Sequence, residues 1–138
     1  MTEDAKVSPG EDRMAVELTE EGRRLLEEMR ARRGGKTMAM HEILAARDPG
    51  FLLGYHHIFN AAQSDANGLP AWVRELLVMA LDLSVGVAPH VVRAHARKAI
   101  SLGATEAQVL GAIELAALVM AGKALSYVQP VLEPEQSS

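Results

Sequence analysis

Two helical segments that are apolar on nearly every side constrain this chain more than any other feature. The first extends from Pro70 to about Val85, and the second from Thr105 to about Gly122. Hydrophobic residues make up 49% of the sequence but aromatic residues only 4%, so Leu, Val, Ala, Ile and Met must build the core. Such a composition favours helices, because strands prefer aromatic and β-branched residues. We therefore predict an all-α fold of about six helices, with these two segments at its centre.

The remaining helices are placed by periodicity and by Gly and Pro signals. A chain of 138 residues corresponds to one domain, which we predict over residues 11–133, with disordered tails at 1–10 and 134–138. Gly103 favours the end of a helix, and Thr105 with Gln108 has the pattern of a capping box. The other predicted helices cover residues 11–33, 37–46, 49–63 and 89–102.

The helix after Pro89 carries one histidine within an apolar stripe. Val91, Val92, His95, Ala99 and Leu102 recur at helical spacing and so share a face. A histidine in such a stripe is more often a hydrogen-bonded core residue than a catalyst, but it is also suited to general acid–base chemistry.

Two arginines on the same helix could serve a substrate. Arg93 and Arg97 are four residues apart, so they can form one cationic edge that holds a dicarboxylate through paired hydrogen bonds. The alternative is an ordinary solvated helix face.

A set of short motifs in a fixed order links most of this sequence to a known family. His95-Ala-Arg-Lys-Ala is followed by Gly103-Ala-Thr-Glu, which places a glycine eight residues after the histidine. The other motifs are Asp48-Pro49-Gly50-Phe51, Leu69-Pro70, Arg74-Glu75-Leu76-Leu77 and Glu114-Leu115-Ala116-Ala117. Together they resemble the carboxymuconolactone decarboxylase family, which includes alkylhydroperoxidase D-like proteins, over residues 48–133. The resemblance implies the helical fold of that family, trimers or hexamers, and a proton relay between Glu75 and His95. For Glu75 the alternative is an ion pair with Arg74 or with an arginine on the next helix.

The sequence departs from the peroxidase branch of the family at its redox pair. Ala88 and Val91 occupy the two cysteine positions, and the sequence contains no cysteine. Disulfide exchange requires an attacking thiolate, so thiol peroxidase activity is excluded. The resemblance then implies cofactor-free decarboxylation, or a related proton transfer, on a small carboxylated lactone or oxo acid. A non-catalytic oligomeric or ligand-binding protein with the same fold is the alternative.

Three residues of the helix after Pro49 are further candidates for substrate binding. Tyr55, His56 and His57 could line a pocket, although adjacent residues on a helix point about 100° apart, so the two histidines do not share a face. Ordinary core or surface roles are the alternative. We expect no metal site, because the histidines lack the spacings that place two ligands on one helix.

Charge and hydrophobicity narrow the class of partner. The net charge of −4 argues against a nucleic acid. We find no secretory signal at the start of the sequence and consider no apolar run long enough to span a bilayer. We therefore expect a cytoplasmic protein without a membrane partner. The two apolar segments exceed what one small core can cover, which indicates a homo-oligomer.

Overall fold

The structure is a computed structural model that describes residues 17–133, and this part of the chain is helical, with no strand. A short 3-10 helix, Asp65–Asn67, separates the third and fourth α-helices. The α-helices are α1 (Glu20–Arg32), α2 (Ala39–Arg47), α3 (Pro49–Ala62), α4 (Ala71–Ser84), α5 (Pro89–Ser101), α6 (Glu106–Leu125) and α7 (Val128–Leu132). The all-α prediction is confirmed, and the six longer helices correspond in order to the six predicted segments. Both predicted tails lie outside the described residues.

The first helix begins later than its charge pattern suggested. Residues 17–19 are not helical, and α1 starts after Thr19, whose hydroxyl accepts a hydrogen bond of 3.0 Å from the backbone N–H of Gly22. This bond satisfies one of the amide groups that the first helical turn leaves free. The predicted start at residue 11 is therefore wrong at least for residues 17–19, while residues 11–16 lie outside the described part.

The chain divides into two compact units, the first ending at Ala61 and the second beginning at Ala62. In the first unit, α1, α2 and α3 bury one apolar cluster: Leu25, Leu26, Met29, Ala45 and Leu52. Gly22 allows α1 to approach α2 closely, since a Cβ at this position would overlap the carbonyl oxygen of Ala45. This division does not test the single-domain prediction, which stays a prediction.

The second unit contains the two helices that the sequence marked as central. Here α4 packs against α5 and α6 around a second apolar cluster: Leu76, Met79, Ala99 and Ala104. Gly103 has a φ of 112° at the end of α5, which few other residues adopt. The predicted capping box is confirmed, because Thr105 and Gln108 exchange hydrogen bonds of 2.9 and 3.1 Å at the start of α6.

The last two helices depart from the expected burial. Of α6 and α7, only Ala116 is buried within one chain. The prediction that this segment lies at the centre of the fold is therefore wrong for a single chain, because α4 and α5 cover only one side of α6. The exposed apolar side chains of this region are Leu110, Ile113, Leu115, Leu118, Val119, Met120, Leu125, Tyr127, Val128, Val131 and Leu132.

The same region corrects the expectation about membrane-spanning length. Glu106–Leu132 is a helical stretch of 27 residues that is long and apolar enough, by length and composition alone, to cross a membrane. Glu114 and Lys123 interrupt it, and one charge at the centre of a bilayer is unfavourable by about 2.5–3.5 kcal/mol. Length and composition of this kind also suit a helix that packs against another protein chain.

Candidate active site

His95 and Glu75, which the sequence paired only through a family resemblance, are in direct contact in the second unit. Glu75 lies one turn into α4 and His95 lies at the middle of α5, and the two helices pack against each other. The imidazole Nδ1 is 2.7 Å from the Oε2 oxygen of Glu75, the distance of a strong, charge-assisted hydrogen bond.

The Glu75 side chain is almost completely enclosed, yet its negative charge is well compensated. Its exposed fraction is 2%, and its second oxygen, Oε1, lies 2.8 Å from the Nζ of Lys98. Burial is the largest single influence and raises the pKa of Glu75. The hydrogen bonds from His95 and Lys98, together with the charges of both, lower this pKa by a larger total amount. The net pKa is below the ordinary value, so Glu75 is a carboxylate near neutral pH.

An ionised Glu75 fixes the protonation pattern of the histidine. A carboxylate only accepts hydrogen bonds, so Nδ1 of His95 must carry the hydrogen that points to Glu75. In the neutral ring, Nε2 therefore keeps its lone pair. This nitrogen faces Asp82 of α4, whose Oδ2 is 3.6 Å away, and 28% of the His95 side chain is exposed. Nε2 is thus the nitrogen that can exchange a proton with a bound molecule.

The two arginines of α5 lie away from this contact. Positions 93 and 97 are each two residues from His95, and an α-helix turns by about 100° per residue. Both side chains therefore point to the far side of α5, and both residues are exposed. The structure brings His95 to Glu75 but does not bring Arg93 or Arg97 to the same place within one chain.

The three other predicted site residues belong to the first unit, on α3. His56 is buried, whereas His57 and Tyr55 are exposed, as expected for adjacent histidines that face different directions. Tyr55 stands beside His41 of α2, with ring centroids 5.9 Å apart. Its ring also lies 5.5 Å from the guanidinium of Arg33. These residues form a separate polar group built from α3 and the α1–α2 region.

Two residues of the His95 site were not predicted, although the sequence contains a spacing that indicates each of them. Lys98 lies three residues after His95, a spacing that places two side chains on neighbouring parts of one helix face. Asp82 lies seven residues after Glu75, close to two helical turns, so both carboxylates project from one side of α4. Neither residue is among the site residues predicted from the sequence.

A third missed group lies in the first unit. Arg33 and His41 approach Tyr55 and His56 only because α1, α2 and α3 fold together, and no motif indicated this contact. Among residues 17–133, no group of His, Asp and Glu side chains could hold a metal ion.

Comparison with known proteins gives one match. The model of the Carboxymuconolactone decarboxylase family matches residues 49–133, which include α3 to α7 and hence Glu75, Asp82, His95 and Lys98. No curated protein and no solved structure matches the chain. Residues 17–48, with α1 and α2, lie outside the matched region.

Proposed function

The chain belongs to the carboxymuconolactone decarboxylase family, and on that premise we propose that it is a cofactor-free decarboxylase or a related proton-transfer enzyme. Its substrate is a small carboxylated lactone or oxo acid. The observation that carries this proposal is the 2.7 Å contact between the buried, ionised Glu75 and Nδ1 of His95, which leaves Nε2 free to exchange a proton. A general acid needs this combination of a fixed ring orientation and an accessible nitrogen.

The reaction requires only charge stabilisation and one proton. When the substrate loses CO2, the bond to the carboxylate carbon breaks and its electron pair remains on the adjacent carbon, delocalised into a neighbouring carbonyl as an enolate. His95 in its protonated form donates the Nε2 hydrogen to that carbon, which forms the new C–H bond and restores the carbonyl. Solvent then returns a proton to His95. Glu75 keeps the ring oriented and stabilises its positive charge throughout.

Lys98 and Asp82 have supporting roles in this proposal. Lys98 holds Oε1 of Glu75 at 2.8 Å, so Glu75 remains ionised and does not take the proton from His95. Asp82 faces Nε2 at 3.6 Å and adds a second negative charge beside the protonated ring. Neither residue needs to contact the substrate.

We also propose that the protein assembles into a homo-oligomer, a trimer or hexamer as in the family, through the exposed apolar side of α6 and α7. An apolar surface of this extent is unfavourable in water and is typical of subunit interfaces. In such an assembly, Arg93 and Arg97 of one copy could meet a substrate carboxylate at the site of another. Light scattering at micromolar concentration should give a mass above that of one chain, and a monomer would contradict the proposal.

The rival is a non-catalytic, oligomeric or ligand-binding member of the family, and one observation favours it. Every charged group around Glu75 already has a partner within the chain, since Lys98 and His95 hold the carboxylate and Asp82 faces the other side of the ring. A network paired in this way could serve only to fix α4 against α5.

The test combines a ligand screen with one substitution. A thermal-shift screen of small di- and tricarboxylates identifies binders, and CO2 release from each binder identifies substrates. With a substrate found, His95→Gln should keep the fold and oligomer but lower turnover by about 10²–10⁴-fold, the usual contribution of one general acid or base. His90→Gln, an exposed histidine of the same helix, is the matched control and should leave turnover unchanged.

The opposite result has an equally clear form. If His95 only holds the two helices together, His95→Gln should lower the free energy of unfolding by about 1–3 kcal/mol, because a buried carboxylate loses its partner. Turnover per folded molecule would then equal that of the wild type. Such a variant, unstable but fully active, would remove His95 from the catalytic role.

A further inference from the structure

The first unit contains a buried group of hydrogen-bond donors that surrounds one arginine. The guanidinium of Arg33, at the end of α1, lies 3.8 Å from the centre of the Phe59 ring and 5.5 Å from that of Tyr55. Stacking on two aromatic rings fixes the plane of the guanidinium and replaces part of the water that it loses on burial. We call Arg33, His41, Tyr55, His56 and Phe59 the Arg33 cluster.

One edge of this guanidinium is buried without any acceptor. The Nε and Nη2 atoms are inaccessible to water and have no hydrogen-bond partner among the residues that the structure describes. These two nitrogens form the edge from which parallel N–H groups bind both oxygens of one carboxylate. Within residues 17–133, Arg33 also forms no ion pair with Asp or Glu. Arg33 as a whole is partly exposed, but its buried N–H groups are unfavourable unless a ligand supplies an acceptor.

The third nitrogen of the guanidinium faces another donor instead of an acceptor. The backbone N–H of Met38 donates to Nδ1 of His41 over 3.0 Å, so Nδ1 must carry the lone pair of the neutral ring. The ring hydrogen is therefore on Nε2, which lies 3.4 Å from Nη1 of Arg33. Two N–H groups meet here, and no hydrogen bond can form between them. An acceptor placed beside them would bind both.

A second buried histidine of the cluster is also incomplete. His56 is only 3% exposed and its Nδ1 has no hydrogen-bond partner. Burial first, and then the charge of Arg33, lower the pKa of both His41 and His56. The two rings are therefore neutral near pH 7, so Arg33 is the one full charge of the cluster.

We propose that the Arg33 cluster binds a small monocarboxylate, whose two oxygens accept hydrogen bonds from Nε and Nη2 of Arg33. The planar, singly charged carboxylate matches both the paired edge and the single positive charge. A phosphate dianion would bring two charges to one cation. Both nitrogens are closed to water in the structure, so the ring of Tyr55, the exposed member of the cluster, must move aside for the anion to reach them. This site does not depend on the proposed activity of His95, and Arg33 and His41 lie outside the region that the family model matches.

The test uses sodium propionate as the probe, at pH 7.5 and constant ionic strength, with sodium phosphate and sodium chloride as competing anions. Two-dimensional NMR of the full chain follows the ring resonances of His56 and Phe59. Propionate should shift these resonances saturably. Arg33→Lys keeps the charge but removes the paired edge, and should weaken binding at least tenfold, which corresponds to about 1.4 kcal/mol. Arg32→Lys changes an exposed neighbour in the same way and should leave the affinity unchanged.

Further variants distinguish a failure of this proposal from a failure of the proposed enzyme activity. His95→Gln should bind propionate as the wild type does, so loss of the proposed enzyme activity would not affect this result. If Arg33→Lys does not fold, His56→Gln serves as the second variant of the cluster. It should weaken propionate binding. The proposal is overturned by no saturable shift, by equal binding to wild type and Arg33→Lys, or by equal binding of chloride and phosphate. Binding that His95→Gln abolishes and Arg33→Lys retains would also overturn it.

Discussion

The two units of this protein each bury a polar group. The groups differ in balance, that is, in whether their buried hydrogen-bonding atoms have partners. In the second unit, the Glu75 carboxylate receives hydrogen bonds from His95 and Lys98, so both of its oxygens are satisfied. In the first unit, Arg33 and His56 have buried nitrogens that have no hydrogen-bond partner in the described chain. A balanced group stabilises the fold that contains it, whereas an unbalanced group weakens that fold until a ligand completes it. The two groups should therefore respond to substitution with opposite sign.

The largest expected effect is the loss of the carboxylate in the balanced group. Glu75→Gln removes the charge that accepts from His95 and Lys98 and should lower the free energy of unfolding by about 2–3 kcal/mol, the range for hydrogen bonds to charged groups. Urea denaturation at pH 7 measures it. Glu114→Gln, which removes an exposed carboxylate from α6, is the matched control and should have little effect. An equal stability of the two variants would contradict the balance assigned to Glu75.

The same pair predicts a pH dependence. The pKa of Glu75 is lower in the folded protein than its ordinary value of 4.5, so the carboxylate contributes stability fully above about that pH. This contribution is lost as the pH falls through the folded pKa. The difference between wild type and Glu75→Gln should therefore shrink below pH 4.5.

The next effect has the opposite sign and concerns the unbalanced group. Arg33→Met replaces a partly buried cation, two of whose nitrogens have no acceptor in the described chain, by an apolar side chain of similar length. Without added carboxylate it should raise the free energy of unfolding by about 1–2 kcal/mol, as hydrophobic replacements of buried charges often do. Arg32→Met, at an exposed position, should not. A destabilised Arg33→Met in urea denaturation would mean that Arg33 is already compensated.

A smaller effect distinguishes the units by their response to mild acid. The pKa of His56 is lowered in the folded state, chiefly by burial, so the unfolded chain takes up a proton first as the pH falls. The stability from the neutral ring is complete above about pH 6.5 and is lost below it, by up to about 1.4 kcal/mol per pH unit. His56→Gln should reduce the slope of the melting temperature between pH 7.5 and 5.5, and His41, whose pKa is lowered in the same way, should account for part of the slope that remains. The exposed neighbour provides the control, since His57→Gln should keep the wild-type slope.

The smallest expected effect on stability is that of Asp82→Asn. Asp82 is 3.6 Å from Nε2 of His95 and partly exposed, so the change should alter the free energy of unfolding by less than about 1 kcal/mol. If Asp82 stabilises the protonated ring as proposed, the pH profile of turnover should move to lower pH while substrate KM changes little. An unchanged profile would show that Asp82 has no part in the proton transfer.

Much of the fold could be predicted because its signals are local. Gly103 and the capping box of Thr105 and Gln108 are determined by residues within a few positions of each other, and the structure has them as expected. The first residues of α1 were not predicted, because alternating charges extend the helical pattern past the point where Thr19 begins the helix. The exposure of α6 also differs, since periodicity reports which residues are apolar but not how many helices are available to cover them.

The contacts of the candidate site could be predicted only in part. Lys98 lies one helical turn from His95, and Asp82 lies two turns from Glu75, so spacing alone could have linked each pair along its own helix. Which helix α5 packs against, and which nitrogen of His95 meets Glu75, depend on the packing of α4 against α5. The position of Arg93 and Arg97 on the far side of α5 follows from helical geometry and could have been derived from the sequence.

The sequence by itself determined the helical class of this protein, most of its helix boundaries, its lack of cysteine and the family to which residues 49–133 belong. These properties depend on composition and on residues close together along the chain. Only the tertiary structure decided that Glu75 is ionised between His95 and Lys98, and that two nitrogens of Arg33 lack an acceptor within residues 17–133. Burial and hydrogen-bond partners come from residues distant in the chain, and they set the energy of a charge far more strongly than its neighbours in sequence do.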